Sequence, residues 1–381
     1  MYNATDLPFN LFAYKMCSNL KLWKEFNMKI YNAHYCAACY FRTAADYPNK
    51  KCLLQLTERC NLHCVHCFVS SNDKGIDMDY EEIEKKIVPN FIKHKVKKVT
   101  LTGGEPLVYP KLYEVVQLLC RNDIDVSICT NASLITNTFL EKIKVFKNVH
   151  FNVSLDGFSH TSHGRFRGNE NPFLYDTIIN NIKMLGQFHL LNGILVTPNT
   201  FSCIDEYKKI CEFAKNCNAK YVLMNPLSQF GRGELSSDFA MSEEDMCQLK
   251  SAVQQYESPE MEIIYIRFPN TEKKPLSKCH AGEILYIFSN GDIAYCPYMA
   301  FAAKDTISQY PYKNFIMGNI FSDTFDWDTD IENYQFLINY KDICKNCTDE
   351  KCKKGCFATK ISQGKRLEDY DILCPLQQER R

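Results

Sequence analysis

From about residue 50, short apolar runs alternate with stretches in which apolar residues recur at a helical period. The runs have the length of strands and cover residues 52–56, 98–101, 125–129, 150–154, 192–197 and 220–224. Helical patterns lie between them, and within Ile204–Asn216 the residues Tyr207, Ile210 and Ala214 share one face. Because parallel neighbours need a covering crossover helix, this alternation predicts a parallel sheet. Six units are too few for a closed eight-stranded barrel, so the predicted fold class is α/β, a partial (β/α)6 TIM-like barrel.

Four further segments have the pattern of helices, at residues 80–93, 111–122, 137–146 and 175–186. Pro89 falls inside the first of them. Proline lacks the N–H that continues a helix, so Pro89 is expected to kink or end this one.

The pattern divides the chain into four parts. Residues 1–47 form an aromatic-rich extension, residues 48–235 the barrel, and residues 236–278 a polar, helical connecting region. Asn290 and Gly291 then separate two apolar runs, which is a strong hairpin signal. Residues 279–381 form the fourth part, and their last 40 residues are rich in cysteine and only weakly periodic, which suggests a fold organised by metal.

Charge and composition exclude some classes of partner. Basic and acidic residues number 45 each, so no overall field favours nucleic acid or an anionic membrane. No run approaches the ~18 apolar residues of a membrane span, and the first residues lack a secretory pattern, so we expect a cytoplasmic protein. In a reducing compartment, clustered cysteines are metal ligands more often than disulfides, and the chain has 20 of them.

Three cysteines, Cys60, Cys64 and Cys67, follow directly on the first predicted strand. Three thiolates can hold three corners of a [4Fe–4S] cube, which leaves one iron open. A structural cluster would take a fourth cysteine, and none follows in this loop. Taken alone, the spacing is also compatible with a zinc site.

A second motif, Gly103-Gly104-Glu105-Pro106, follows the second predicted strand. The two motifs together resemble the radical S-adenosylmethionine (SAM) superfamily over roughly residues 50–235. This resemblance implies that SAM binds the open iron and that an electron from the cluster cleaves it to a 5′-deoxyadenosyl radical, which takes hydrogen from a substrate. It also implies a low-potential electron donor, a flavodoxin or ferredoxin.

The resemblance further implies residues that contact SAM. Gly103 and Gly104 would let the backbone approach the methionine moiety, and Glu105 would accept from its ammonium group. Arg167 would pair with the carboxylate of SAM, although Gly164 stands where relatives have an aspartate. His66 would lie against the adenine.

Four polar residues at strand ends would meet the methionine moiety and the ribose hydroxyls; they are Thr130, Asn131, Ser154 and Asp156. Each assignment has an ordinary alternative: turn capping for the strand ends, a surface position for the arginine, and packing of the loop for the histidine.

The C-terminal cysteines are Cys279, Cys296, Cys344, Cys347, Cys352, Cys356 and Cys374. Seven do not divide into four-ligand zinc sites. Their order resembles the SPASM domain, including a hairpin glycine before the second cysteine, although the gap after Cys347 is one residue short. This resemblance implies that residues 279–381 form a small C-terminal iron–sulfur-cluster domain with two auxiliary [4Fe–4S] clusters, and hence three clusters in all.

By the same resemblance, one auxiliary cluster is held by four of these residues, which are Cys344, Cys347, Cys352 and Cys374. The other is held by Cys279, Cys296 and Cys356 alone. Its fourth ligand is open, is substrate, or is a residue from elsewhere such as Cys36 or Cys39. These two cysteines could instead form a site of their own or be plain free thiols.

Enzymes with this organisation mostly modify peptides or proteins, so a ribosomally made peptide or a protein side chain is the expected substrate. Residues 1–47 are candidates for contact with a leader peptide. A sulfatase-type maturase is disfavoured because Pro297 follows Cys296 where those enzymes have an aspartate. A small-molecule substrate (a haem precursor, a sugar or an antibiotic intermediate) stays open. A non-enzymatic iron–sulfur or zinc protein would explain the cysteines but not the paired motifs.

Overall fold

A computed structural model describes residue 36 and residues 49–277, 279, 281–282, 284–327 and 355–378 of the chain. Some expectations fall outside these residues. They concern the N-terminal extension other than Cys36, together with Cys39, Cys344, Cys347 and Cys352. The helices and strands given below belong to the described part.

Ten strands of this part form one sheet, in the order β10-β9-β8-β1-β2-β3-β4-β5-β6-β7. They are β1 (Lys50–Thr57), β2 (Val96–Gly103), β3 (Asp125–Thr130), β4 (Val149–Ser154), β5 (Leu191–Val196), β6 (Tyr221–Met224), β7 (Glu262–Tyr265), β8 (Ile284–Ile287), β9 (Asp292–Ala294) and β10 (Ile316–Asn319). All pairs from β8 through β1 to β7 are parallel, whereas β8, β9 and β10 pair antiparallel. The six predicted strands and the partial barrel are confirmed.

Two parallel strands were not expected. β7 lies in the predicted connecting region and pairs with β6, and β8 pairs with the other edge of β1. The hairpin at Asn290 and Gly291 is confirmed as β8–β9, and Gly291 takes a φ of +87°. The first strand of the predicted C-terminal domain is therefore a strand of the barrel sheet, because the free edge of β1 supplies hydrogen-bonding groups that β8 satisfies.

The described part contains eleven α-helices. They are α1 (Tyr80–Glu82), α2 (Val88–Lys93), α3 (Leu112–Arg121), α4 (Asn137–Ile143), α5 (His160–Arg167), α6 (Pro172–Gln187), α7 (Ile204–Asn216), α8 (Glu243–Val253), α9 (Pro297–Ala302), α10 (Phe357–Ser362) and α11 (Pro375–Gln378). In β1, Cys52, Leu54 and Leu56 join the apolar core shared with helices on the outside of the sheet, whereas Leu53 packs in a second apolar cluster with α9 and α10. Alternate residues of each strand therefore face the lumen. No helix of the described residues has the length and apolar character needed to cross a membrane.

Pro89 does not end its helix. A π turn at Ile83–Ile87 separates α1 from α2, and α2 runs on through Pro89 to Lys93. The wider turn lies where the helix meets the missing N–H of proline, a common cause of such irregularity.

An ion pair fixes the C-terminal segment to the end of the barrel. Arg267, which follows β7, donates from both Nη atoms to the two carboxylate oxygens of Asp371, at 2.9 and 2.7 Å. The backbone N–H groups of Cys356 and Leu373 donate to the same carboxylate. Burial opposes ionisation of Asp371, but Arg267 and these donors outweigh it and lower the pKa of the carboxyl.

We expect Arg267→Met to lower the free energy of unfolding by about 3–5 kcal/mol, because it leaves the carboxylate of Asp371 buried and unpaired. Urea-induced unfolding measures this. Lys85→Met is the control, since the pair of Lys85 with Glu81 is exposed and its loss should leave unfolding unchanged. Equal effects of the two changes would contradict the prediction.

Candidate active site

The loop after β1 brings the three predicted cluster ligands together. Burial raises the pKa of the Cys60 thiol to about 12, and Cys64, Glu105 and Cys67 push it in the same direction. The thiols are thus close enough to influence one another. Within the described part of the chain, however, no three cysteine, histidine or carboxylate side chains are close enough to share a single metal ion. Burial raises the pKa of Cys60 and of Cys64, so these thiols need a nearby cation to ionise, as the ligands of an iron–sulfur cluster do.

The turn after β2 packs directly on this loop. The N–H groups of Gly104 and Glu105 donate to the carbonyls of Thr57 and Arg59, each at 2.9 Å. A Cβ at Gly104 would lie 2.1 Å from the carbonyl oxygen of Arg59, and one at Gly103 would lie 2.3 Å from that of Thr57. Contact with the backbone of the cysteine loop therefore requires both glycines, irrespective of any ligand.

Glu105 joins the ends of β2 and β3. Its side chain is 1% exposed and accepts from the Thr130 hydroxyl at 2.7 Å and from the Asn131 N–H at 2.8 Å. Burial raises the pKa of Glu105, and these two donors oppose the shift. Asn131 continues the network, because its side-chain amide donates to Asn61 in the cysteine loop.

Arg167, at the end of α5, is held by Asp156. Its Nε donates to the Asp156 carboxylate at 2.5 Å, and its Nη1 lies 3.8 Å from the Cys64 sulfur. Burial disfavours the charged guanidinium, but Asp156 and Cys64 together outweigh it and raise the pKa of Arg167. Asp156 is fully buried, and its other oxygen accepts from the N–H of Thr197. The arginine is therefore a fixed cation beside a cluster ligand.

The ring of His66 stacks on Phe166, with ring centres 4.0 Å apart and planes within 5°. Burial lowers the pKa of His66 well below its usual value, and the charge of Arg167 acts in the same direction. The ring is therefore neutral. Its Nδ1 is buried and has no hydrogen-bond partner among the described residues.

Three residues at the site were not singled out from the sequence. The Arg232 guanidinium donates to the carbonyls of Cys64 and Ser71 at 2.8 and 2.7 Å. The Ser236 hydroxyl donates to the carbonyl of Val65. Asn61 links the loop to β3, as described above. The available signals were the Gly231-Arg232-Gly233 sequence and the position of Asn61 between two ligands, but neither indicates a contact by itself.

These elements surround a cavity of about 320 Å³ at the carboxyl ends of the strands and in the lumen below them. Most of the predicted site residues line it, namely Cys60, Cys64, Cys67, His66, Gly103, Gly104, Glu105, Thr130, Asn131, Ser154 and Arg167. Asp156 does not line it and lies behind Arg167. The volume of the cavity is typical of a small-molecule pocket.

A second group of thiols lies in the C-terminal segment. Burial raises the pKa of Cys296, and the neighbouring Cys279 and Cys356 add to the shift, so these three predicted ligands are brought together. Cys374 lies apart from them, in an apolar cluster with Leu276 against which Cys36 packs.

A comparison with protein families identifies the domain that contains the cysteine loop. Residues 54–213 match the sequence profile described as the radical SAM superfamily, and this range holds both the cysteine loop and the glycine turn. The chain carries a radical SAM domain over these residues. It is an enzyme, and SAM and a [4Fe–4S] cluster are its cofactors. When bound, the cluster would supply the electron that cleaves SAM to a 5′-deoxyadenosyl radical. This radical would remove hydrogen from the substrate.

Several relatives extend beyond the matched domain. The antilisterial bacteriocin subtilosin biosynthesis protein AlbA of Bacillus subtilis (strain 168) is 24% identical over 325 residues, which cover 82% of this chain and 68% of AlbA. The AdoMet-dependent heme synthase of Methanosarcina barkeri (strain Fusaro) is 24% identical over 316 residues, covering 77% of this chain and 89% of that protein.

A solved structure shares the fold of this radical SAM enzyme. Streptococcus suis SuiB bound to precursor peptide SuiA superposes with a TM-score of 0.66 at 16% identity, covering 93% of this chain and 80% of SuiB. The similarity therefore extends over the barrel and the strands that follow it.

We expect Gly104→Ala to lower the free energy of unfolding by about 3 kcal/mol, because its Cβ would meet the rigid backbone of Arg59. Urea-induced unfolding of the apoprotein measures this without any cofactor. Gly318→Ala is the matched control, since there the nearest atom is on the Phe325 ring at 3.2 Å and can yield. If Gly104→Ala is no more destabilising than Gly318→Ala, the close approach does not govern the turn.

Proposed function

We propose that this radical SAM enzyme modifies a ribosomally made peptide or a protein side chain, with two auxiliary [4Fe–4S] clusters in its C-terminal segment. The observation that carries the proposal is that one cavity is lined from both cysteine sets. Phe68 follows Cys67 and Tyr298 lies two residues after Cys296, and both side chains line the cavity. A substrate there would lie between the SAM-binding cluster and an auxiliary cluster.

Aromatic packing supports this arrangement. The ring of Phe68 meets Tyr298 and Phe301 of α9 edge-on, with centres 5.4 and 5.3 Å apart, and meets Phe230 at 6.2 Å. α9 begins directly after Cys296. The cysteine loop and the C-terminal thiols are thus held against each other by rings rather than by a flexible linker.

Two ligand sets are proposed for the auxiliary clusters. Cys279, Cys296 and Cys356 would hold one, in keeping with their proximity. Cys374, with Cys344, Cys347 and Cys352, would hold the other. Cys36 lies beside Cys374 rather than beside the first set, so its packing favours an apolar role over that of a missing fourth ligand.

Residues of the barrel would hold SAM. Arg167 would bind its carboxylate, and Asp156 would position Arg167 rather than contact SAM itself. His66, neutral and with an unpartnered Nδ1, would lie against the adenine. The carboxylate of Glu105 and the strand end at Ser154 would meet the remaining polar groups of SAM.

The names of relatives favour a peptide as substrate. One relative is a bacteriocin biosynthesis protein, and the structure of SuiB contains a precursor peptide. Reconstituted enzyme should therefore convert a short peptide encoded beside its gene, with SAM and dithionite, to a product whose mass is changed. Detection by mass spectrometry of an unchanged peptide alongside turnover of a small metabolite would favour the second candidate.

That second candidate is a small-molecule substrate. It is favoured by similarity to a protein named as a heme synthase.

We expect simultaneous replacement of Cys60, Cys64 and Cys67 by Ala to abolish formation of 5′-deoxyadenosine from SAM and dithionite. Iron content after anaerobic reconstitution should fall from about twelve to about eight per chain, because the auxiliary ligands remain. Chromatography and iron analysis measure the two quantities.

The control replaces Cys120, Cys203 and Cys247, which belong to neither ligand set, and should retain both the activity and the iron. About four irons in the unaltered enzyme, with zinc present, would contradict the auxiliary-cluster assignment.

We expect Arg167→Met to weaken SAM binding at least about ten-fold, because a charge-assisted contact of this kind contributes roughly 1.5–3 kcal/mol. Equilibrium dialysis with labelled SAM measures the dissociation constant. Arg165→Met is the matched control on the same helix, where the arginine is half exposed and 3.4 Å from Glu170. Equal affinities of the two variants would rule out the assigned role.

A further inference from the structure

A lysine faces the lumen of the barrel. Lys51 is the second residue of β1 and alternates with Cys52, which belongs to the outer core. It is 8% exposed and lines the same cavity as the cysteine loop. Thr57 ends β1 six residues later, about 20 Å along the strand, so Lys51 lies toward the floor of the cavity, away from the predicted SAM site.

The Lys51 ammonium has no hydrogen-bond or ion-pair partner among the described residues. The other charged side chains that line the cavity are engaged. Arg167 is bound to Asp156, Arg232 donates to two backbone carbonyls, and Glu105 accepts from the end of β3. Among the charged side chains that line the cavity in the described part of the chain, Lys51 is therefore the one available to bind a ligand.

Burial lowers the pKa of Lys51 to about 8. Three titratable neighbours act on it: Cys129 and Cys52 raise the value, and Lys98 lowers it. The side chain is thus mainly protonated at pH 7. Burying an ammonium group that has no partner is energetically costly. Unpaired charges shielded from water are therefore concentrated at sites that bind a ligand.

Asn152, on β4, lines the same cavity and presents a donor. The Asn152 carbonyl oxygen accepts from the Tyr221 hydroxyl at 2.6 Å and from the Asn192 amide at 3.1 Å. Its own amide nitrogen lies 3.9 Å from the Cys129 sulfur, which is a weak acceptor. The acceptor of Asn152 is therefore occupied, while one of its two N–H groups is available to a ligand in the lumen.

We propose that the lumen binds a carboxylate group of the substrate, with Lys51 as its ion-pair partner and Asn152 as a second donor. One lysine balances the single charge of a carboxylate, whereas phosphate sites usually combine several cations or backbone N–H groups. This inference rests on the proposed function and sharpens it. The substrate carries a carboxylate, on an acidic peptide residue or on a small molecule, at one end and its reacting carbon at the other.

Reductive methylation of the reconstituted holoenzyme tests the proposal. Only the neutral amine reacts, and a bound carboxylate raises the pKa of lysine; a rise of about one unit lowers the neutral fraction at pH 8 about five-fold. The probes are acetyl-Ala-Glu-Ala-amide against acetyl-Ala-Gln-Ala-amide, and butyrate against butyramide. Peptide mapping by mass spectrometry follows Lys51, with Lys360 as the buried control because its ammonium already donates to the Leu367 carbonyl.

We expect both acids to slow methylation of Lys51 about five-fold and both amides to leave it unchanged. Protection by butyrate alone would support the carboxylate site while counting against a peptide substrate. Equal protection by acid and amide, or none by either acid, would overturn the proposal. Radical chemistry is not required, so the result does not depend on turnover.

A stability measurement gives a second test. Lys51→Met should raise the melting temperature of the enzyme without substrate, because it removes a buried charge that has no partner. Lys360→Met should lower the melting temperature, because it removes a bonded ammonium. A lower melting temperature for Lys51→Met would mean that the ammonium has a structural role, and would overturn the assignment.

Discussion

Glu105 holds the carboxyl ends of three strands in one arrangement, through its backbone and its buried carboxylate. Its backbone N–H binds the loop after β1, its own segment follows β2, and its side chain binds the end of β3. Each contact is short and lies away from water, where hydrogen bonds to a charge are strong. The cysteine loop, the glycine turn and the polar end of β3 therefore keep fixed positions around the cavity.

The charged side chains around the thiols are also held in fixed positions. Arg167 and Arg232 are both tied to the loop that carries Cys64, one near its sulfur and the other at its carbonyl. Burial and the charges of both arginines keep the His66 ring neutral, and this ring stacks on Phe166. Thiolates and an anionic cluster are stabilised by fixed cations more than by a solvent-exposed surface, since screening is weak in a buried site.

The local sequence pattern was sufficient to predict many elements of the fold, but it could not predict contacts between distant segments. Apolar runs and the Asn-Gly turn predicted six strands and the hairpin, because each is determined by neighbouring residues. The pairing of β8 with β1 joins residues about 230 positions apart and has no local signal. The role of Arg232 was missed for the same reason, since its partners lie in another segment. The seventh strand, Glu262–Tyr265, was too short to distinguish from a loop.

The pairing of β8 with β1 also has a consequence for biosynthesis. The edge of β1 must remain without this partner while the ribosome adds about 230 further residues. During that interval the barrel would expose backbone groups and the apolar lumen side chain Leu53. Chaperone binding and the timing of cluster insertion then matter for yield, because the cavity becomes complete only after β8 and Tyr298 have emerged.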